Sequence, residues 1–248
     1  MQGSKYSQAL SSPPSTPSPF TILQLLPLVK EDVDEVVRLV VASYANNSFR
    51  RISYPKGTAQ SSLDMMKERG IKAVDDPDQY ALKVVDTDTG EIAACAFWAY
   101  TQSMTDEDWD REREEAVKSL KSRPEARQDI VLECIYKEQD SRRRIMGHTR
   151  WWELSSLNTL PKYQRRGIGS MLMKWGTDKL EEMQVPSFII ATDQGYGLYI
   201  RHGYKEIERW EIDRGRWPQW GGNGMYKNVF VTRYPAKPAE PETGGSGL

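Results

Sequence analysis

Hydrophobic and polar positions along the chain switch between a two-residue and a 3.6-residue period, so strands and helices are expected to alternate. The run Thr21-Ile22-Leu23-Gln24-Leu25 reads as a strand start. From Lys30 to Tyr44, Val33, Val36, Val37, Val40 and Val41 recur at the spacing of one helix face. Two strand-prone runs, Tyr80 to Asp86 and Glu91 to Tyr100, flank Thr87-Asp88-Thr89-Gly90, a linker that suits an antiparallel hairpin. Thr105 is placed to cap a charged helix running to about Arg123, with Asp106, Glu107 and Asp108 at its start, Lys118 and Lys121 at its end and Pro124 beyond.

Trp151 to Leu160 reads as a further strand. Gly167 to Met183 then places Ile168, Met171, Leu172, Trp175 and Leu180 near one helical face. Phe188 to Thr192 fits a short buried strand, Tyr196 to His202 a short helix stopped by Gly203, and Tyr204 to Ile212 and Met225 to Tyr234 two strands across a loop rich in Trp and Gly. No internal repeat is visible. The pattern predicts one α/β domain over residues 20–234, with an insertion at 101–150 that acts as a solvated helix or a lid. Residues 1–19, rich in Ser and Pro, and residues 235–248, rich in Pro and Gly, are expected to be disordered tails.

Composition narrows the function classes. Across 248 residues, 34 Lys and Arg nearly balance 35 Asp and Glu, for a net charge of −1, so there is no basic footprint for nucleic acid or an anionic membrane. Cys95 and Cys134 are the only cysteines and form no CxxC pair, which argues against a disulfide framework and predicts no metal site. The apolar run from Phe20 to Val29 is short, contains Pro27 and lacks a basic lead-in, so it matches neither a signal peptide nor a membrane span. A cytoplasmic protein is expected, with the nucleus left open because Arg142-Arg143-Arg144 is too short to localise it.

One motif changes the picture most. Gln164-Arg165-Arg166-Gly167-Ile168-Gly169 joins a strand to an amphipathic helix. Glycines let the backbone approach a ligand, and the free N–H groups of the first turn, here Gly167 to Ser170, can point at phosphate oxygens. Arg165 and Arg166 add full positive charges to the helix dipole. The spacing is neither GxGxxG nor GxxxxGK[ST], so the ligand is expected to be a phosphate-bearing cofactor other than a dinucleotide or ATP.

A second segment identifies that cofactor by resemblance. Pro161-Lys162-Tyr163-Gln164-Arg165-Arg166-Gly167-Ile168-Gly169 is similar to the Q/R-x-x-G-x-G/A signature of the GNAT superfamily of acetyl-CoA-dependent N-acetyltransferases. Ala191-Thr192-Asp193-Gln194-Gly195-Tyr196-Gly197-Leu198-Tyr199 and the following Gly203-Tyr204 resemble the family's A-S-x-x-G-x-x-L-Y-x-x-x-G-F segment, with Thr192, Asp193, Gln194 and Tyr204 as departures. The resemblance is firm from about Trp151 to Ile212; the long 101–150 link is similar to insertions in fungal members. It implies the GNAT fold, a splayed mixed sheet of about six to seven strands flanked by helices.

It also implies roles. Gln164 to Ser170 would cradle the acetyl-CoA pyrophosphate, and Leu157 and Thr159 would offer backbone groups to the pantetheine arm. Tyr199 stands where the family carries the acid that protonates the departing thiolate; the plain alternative is a packed aromatic. Glu153, eleven residues before Gln164, stands where histone-type members carry a general base; its plain alternative is an ion pair, and a strand bulge would turn it to the other face. Trp98, Tyr100, Trp151, Trp152, Trp217, Trp220 and Tyr226 are either acceptor-pocket or core residues, and His148 and His202 are secondary candidates. The implied reaction is acetyl transfer from acetyl-CoA to a primary amine, of a small molecule in the leading reading. A protein-lysine or N-terminal acetyltransferase and a non-catalytic acyl-CoA-binding module are the alternatives, in a monomer or homodimer.

Overall fold

The computed structural model describes residues 22–44 and 47–236. The expectations for residues 1–21 and 237–248 lie outside the described residues. The chain forms β1 (Leu23–Pro27), α1 (Val33–Ser43), α2 (Ser48–Ser53), α3 (Gln60–Asp75), β2 (Gln79–Asp86), β3 (Ile92–Thr101), α4 (Asp106–Lys121) and α5 (Gln128–Met146). The second half adds β4 (Trp151–Thr159), α6 (Ile168–Met183), β5 (Ser187–Thr192), α7 (Asp193–Arg201), β6 (Lys205–Asp213) and β7 (Met225–Arg233).

These strands build one seven-stranded sheet in the order β1-β2-β3-β4-β5-β7-β6. Every neighbouring pair is antiparallel except β4 and β5. Because side chains alternate along a strand, adjacent Trp151 and Trp152 enter different cores. Trp152 joins Ala94, Ala96, Trp98 and Ile189 under α6, which contributes Ile168, Leu172 and Leu180. Trp151 joins Phe188 and Phe230 on the opposite face, under Ile52 of α2, Trp109 of α4 and Ile130 of α5. On that same side, α1 packs Val33, Val36 and Leu39 against Ala81 and Cys95.

The 101–150 insertion is therefore not a solvated helix. It is a pair of helices whose apolar sides are built into a core. Thr105 caps α4 as expected, accepting from the Asp108 amide at 3.2 Å while Asp108 accepts in return. Ion pairs tie the two helices together, with Arg142 on Glu112 and Arg143 on Asp106 at 2.6 Å. Trp109 and Ile130 are buried, so the pair forms a fixed wall over β4, β5 and β7.

Three helices escape the sequence pattern. α3 buries only Ser62, Gly70 and Ala73, small residues that leave no apolar stripe. A Cβ on Gly70 would meet Val33 Cγ1 at 3.0 Å, so glycine sets how closely α1 and α3 approach. α5 mixes Ile130 and Cys134 with buried Gln139 and Ser141, and the six-residue α2 is too short to show a period. α7 starts at Asp193 rather than Tyr196, because Thr192 keeps extended geometry at the N-cap and Asp193 complements the helix dipole. At the other end, the Ala236 amide donates to Glu181 at 2.8 Å, two residues into the segment expected to be disordered. No described helix is long and apolar enough to cross a membrane.

Candidate active site

The site begins where two parallel strands part. β4 and β5 pair only at Trp152 with Ser187 and Glu153 with Phe188; beyond these rungs β4 runs on to Thr159 and β5 to Thr192 without further pairing. A bulge against β3 bends β4 at this point. Phe97 sits opposite Ser156 and Trp98 opposite Leu154, leaving Ser155 as the extra residue, and its hydroxyl donates to the Phe97 carbonyl at 3.0 Å. A cleft of about 710 Å³ fills the opening, with Leu157, Asn158 and Thr159 on one wall and Thr192, Asp193 and Gln194 on the other.

One end of the cleft is the N-terminus of α6. Gly167 is its N-cap, with φ 83°, a left-handed conformation that a side chain would strain. Ile168, Gly169 and Ser170 follow in the first turn and line the cleft with Gln164 and Arg165, so the unpaired amides of a helix start border the same space as an arginine. A Cβ on Gly169 would lie 3.0 Å from Leu198 Cδ2, so this glycine lets α6 and α7 close together. The donor set fits a diphosphate. Arg166 stands apart: its guanidinium lies 5.5 Å from the Tyr163 ring centroid, and it is not among the lining residues.

Tyr163 anchors this turn from below. Its buried hydroxyl donates to Asp86 at 2.6 Å and reaches Glu91 at 3.0 Å, while Lys162 pairs with Glu91 at 2.6 Å. The β2–β3 hairpin thereby holds the approach to the cradle, a role that no local pattern announces.

Tyr199 of α7 lies deeper in the same cleft. It is 8 % exposed and folds back over Gly195. Burial, and next the nearby Tyr44 phenol, push its hydroxyl above the usual tyrosine range, so it holds its proton at neutral pH. Ser43 and Tyr44 at the end of α1, and Asn47 capping α2, close the cleft on the side away from α6. The Ser43 hydroxyl donates to Asn158 Oδ1 at 2.9 Å, fastening α1 to β4. These three lining residues were not singled out from the sequence: Ser43 and Tyr44 end a helix without a motif, and Asn47 caps α2, which was not foreseen.

Glu153 sits on the last paired rung, at the apex of the opening and on the face shared with Trp151. It accepts from Trp151 Nε1 at 3.1 Å and lies 3.7 Å from Arg142 Nη1, and it is not among the residues lining the cleft. The bulge at Ser155 falls between Glu153 and the cradle. Trp98, Trp151 and Trp152 are at most 1 % exposed and serve the cores: Trp98 stacks on Trp152, Trp151 stacks on Trp109, and Trp152 Nε1 donates to the Gly176 carbonyl at 2.9 Å. Tyr226 stacks on Phe49 with centroids 4.0 Å apart. Neither histidine lines the cleft; His148 Nδ1 lies 2.6 Å from the Met104 carbonyl, and His202 ends α7. Among the described residues no group of three or more His, Cys, Asp or Glu could hold a metal ion.

Residues 46–204 match the model of the acetyltransferase (GNAT) family. A curated relative, the probable acyltransferase SID5 of Ajellomyces capsulatus, is 35% identical over 46 residues, 18% of this chain and 34% of that protein. The matched stretch thus spans about a third of that relative's length. Among solved structures, a mosquito arylalkylamine N-acetyltransferase-like 5b superposes with TM-score 0.61 at 15% identity, over 86% of this chain and 100% of that one. The Drosophila melanogaster polyamine N-acetyltransferase gives 0.62 at 12% identity, over 86% and 100%. The histone acetyltransferase HPA2 and related acetyltransferase from Corynebacterium glutamicum gives 0.57 at 19% identity, over 88% and 99%. At these identities the solved structures speak for the fold.

Proposed function

Because the chain belongs to the acetyltransferase (GNAT) family, and so is an acyltransferase, we propose that it moves an acetyl group from acetyl-CoA to the primary amine of a small molecule by direct attack. The observation that carries this reading is one cleft with the α6 cradle at one end and Tyr199 farther along it. In this reading the amides of Ile168, Gly169 and Ser170, with Gln164 and the charge of Arg165, hold the pyrophosphate, and Arg166 adds its charge from outside the lining. The exposed backbone of Leu157 and Thr159, which have no β5 partner beyond the bulge, pairs with the pantetheine arm. The thioester then reaches the opening beside Tyr199.

Acyl transfer needs a neutral amine and a proton for the departing thiolate. Tyr199 supplies the second need: its buried phenol is protonated at neutral pH and gives that proton to sulfur as the C–S bond breaks. Glu153, the expected base, stands at the apex of the opening with its charge answered by Arg142. A small acceptor suits a cleft closed by the end of α1 and the start of α2. The two insect enzymes that share this fold are named for small amines.

The test has two parts. Calorimetry is expected to show acetyl-CoA binding, and a thiol-release screen against an amine library is expected to find an acceptor. No acetyl-CoA binding by the purified chain would overturn the reading.

A further inference from the structure

We propose that Glu138, carried by the 101–150 insertion, is the group that takes the proton from the acceptor ammonium, with Glu153 and Arg142 shaping its surroundings. This inference rests on the acetyl-transfer reading and assigns its missing base.

Three carboxylates surround one guanidinium on the sheet face that α5 covers. Arg142 gives its close contacts to Glu112 of α4 and to Glu153 of β4, the latter at 3.7 Å. Glu138 lies one turn before Arg142 on α5, on the same side, and reaches a different strand: its Oε1 accepts from Asn228 Nδ2 of β7 at 2.6 Å. That turn carries the helix about 6 Å along its axis, from the apex of the β4–β5 opening toward its mouth.

The mouth is where the cleft lies. Asn228 is the cross-strand partner of Thr192, the last residue of β5 and a lining residue. Directly opposed residues of two antiparallel strands carry their side chains on the same face. Glu138 therefore lies on the side of the opening that Thr192 borders, one hydrogen bond behind its cross-strand partner and, like Glu153, not itself among the residues lining the cleft. The hydroxyl of Tyr226, two residues before Asn228, is raised by burial, then by the charge of Glu138, with Cys134, Tyr44 and Asp193 behind it. Tyr44 and Asp193 both line the cleft, and Tyr44 also acts on Tyr199. Tyr226 thus lies near both Glu138 and Tyr44, and Tyr44 in turn lies near Tyr199.

The chemistry of the carboxyl suits the task. Burial pushes Glu138 up to about 7, opposed by Arg142 and the Asn228 hydrogen bond and reinforced by the Glu153 charge. Lys137 beside it on α5 faces elsewhere, 5.4 Å over the Trp210 ring and 3.3 Å from Glu133. A carboxyl held there is poised to exchange a proton near neutrality.

The steps balance. The ammonium gives one proton to the Glu138 carboxylate, and the freed amine attacks the thioester carbon, forming the C–N bond. The C–S bond breaks, Tyr199 protonates the thiolate, and the phenolate regains a proton from the new amide nitrogen. Glu138 returns its proton to water. The net change is ammonium plus thioester to amide, thiol and one released proton.

The experiment uses the full chain, acetyl-CoA and the amine that releases thiol fastest in the screen. kcat/KM is expected to fall about tenfold per pH unit below about pH 7 in the wild type. Glu138→Gln is expected to lower it about 100-fold and to remove that break while acetyl-CoA affinity stays within a few-fold. Glu153→Gln is expected to keep the break. Asn228→Ser removes a donor to the charged carboxylate, so it is expected to move the break to higher pH, which serves as the readout should Glu138→Gln fail to fold. A break that persists in Glu138→Gln, or stays in place in Asn228→Ser, would overturn the assignment while leaving acetyl transfer intact. A wild type that neither binds acetyl-CoA nor releases thiol would overturn both.

Discussion

A Cβ added to Gly195 would lie 2.9 Å from the hydroxyl oxygen of Tyr199, so the position of the phenol depends on the absence of a side chain four residues earlier. Both residues line the cleft and both belong to α7. Gly195→Ala is therefore expected to swing the ring away from the opening. Catalysis is sensitive to such displacements: kcat should fall by about 10- to 100-fold while the acetyl-CoA dissociation constant stays within a few-fold. Tyr199→Phe should lower kcat by a similar factor. Steady-state thiol release beside calorimetry checks both, and an unchanged kcat in Tyr199→Phe would remove the acid from its assigned role.

Gly167→Glu tests the cradle. The backbone there is left-handed and the space around a Cβ is open, so the substitution adds about 1–3 kcal/mol of backbone strain without a clash. It also places a carboxylate where a diphosphate is expected. The variant should melt cooperatively and show no calorimetric heat with acetyl-CoA.

Tyr163→Phe tests how the hairpin supports that cradle. Asp86 is fully buried and would lose the hydroxyl that donates to it, which costs about 1–3 kcal/mol. Urea denaturation should register that loss. Acetyl-CoA affinity should weaken as well, because the Pro161–Tyr163 turn leads directly into Gln164.

Gly176→Ala tests the core under α6. A Cβ there would lie 2.0 Å from Cζ2 of Trp98, which is fully buried and stacked on Trp152, so neither ring can yield. Overpacking of this kind costs about 1–3 kcal/mol or more. A lowered melting temperature, or no folded protein, is the expected outcome.

Glu138 also predicts how stability follows pH. Its folded-state value of about 7 lies above its ordinary 4.5, so folding favours the protonated carboxyl. The contribution is complete below about pH 4.5 and is lost as pH rises through about 7. The wild type should therefore lose melting temperature relative to Glu138→Gln between about pH 5 and 8, by a few degrees. Parallel melting curves across that range would show that Glu138 keeps its ordinary value.

The elements that could be read directly from the chain are those whose evidence is local. The valine stripe from Val33 to Val41, the Asp-Thr-Gly turn of the hairpin and the glycines of the α6 cradle each act through neighbours a few residues away. Periodicity and turn chemistry register such interactions, and so the order of the seven strands and of α1, α4, α6 and α7 was legible, with the glycines at the start of α6 and Tyr199 on α7. α3 was not, because it buries small residues, and α5 was not, because its inward face mixes apolar and polar groups.

What the sequence determined by itself is a glycine-rich helix start with free amides, a tyrosine on the helix that follows β5, and a charged insertion. The tertiary structure decided what those parts face. Glu153 and Glu138 are both glutamates in semi-apolar surroundings along the chain. Only the bulge at Ser155, the divergence of β4 and β5, and the seating of α5 give one of them to Arg142 and the other to Asn228. Residues 90 positions apart, as Glu138 and Asn228 are, meet through pairing and packing that no sequence window spans. Burial and partner follow from that meeting, and with them the raised value of the Glu138 carboxyl.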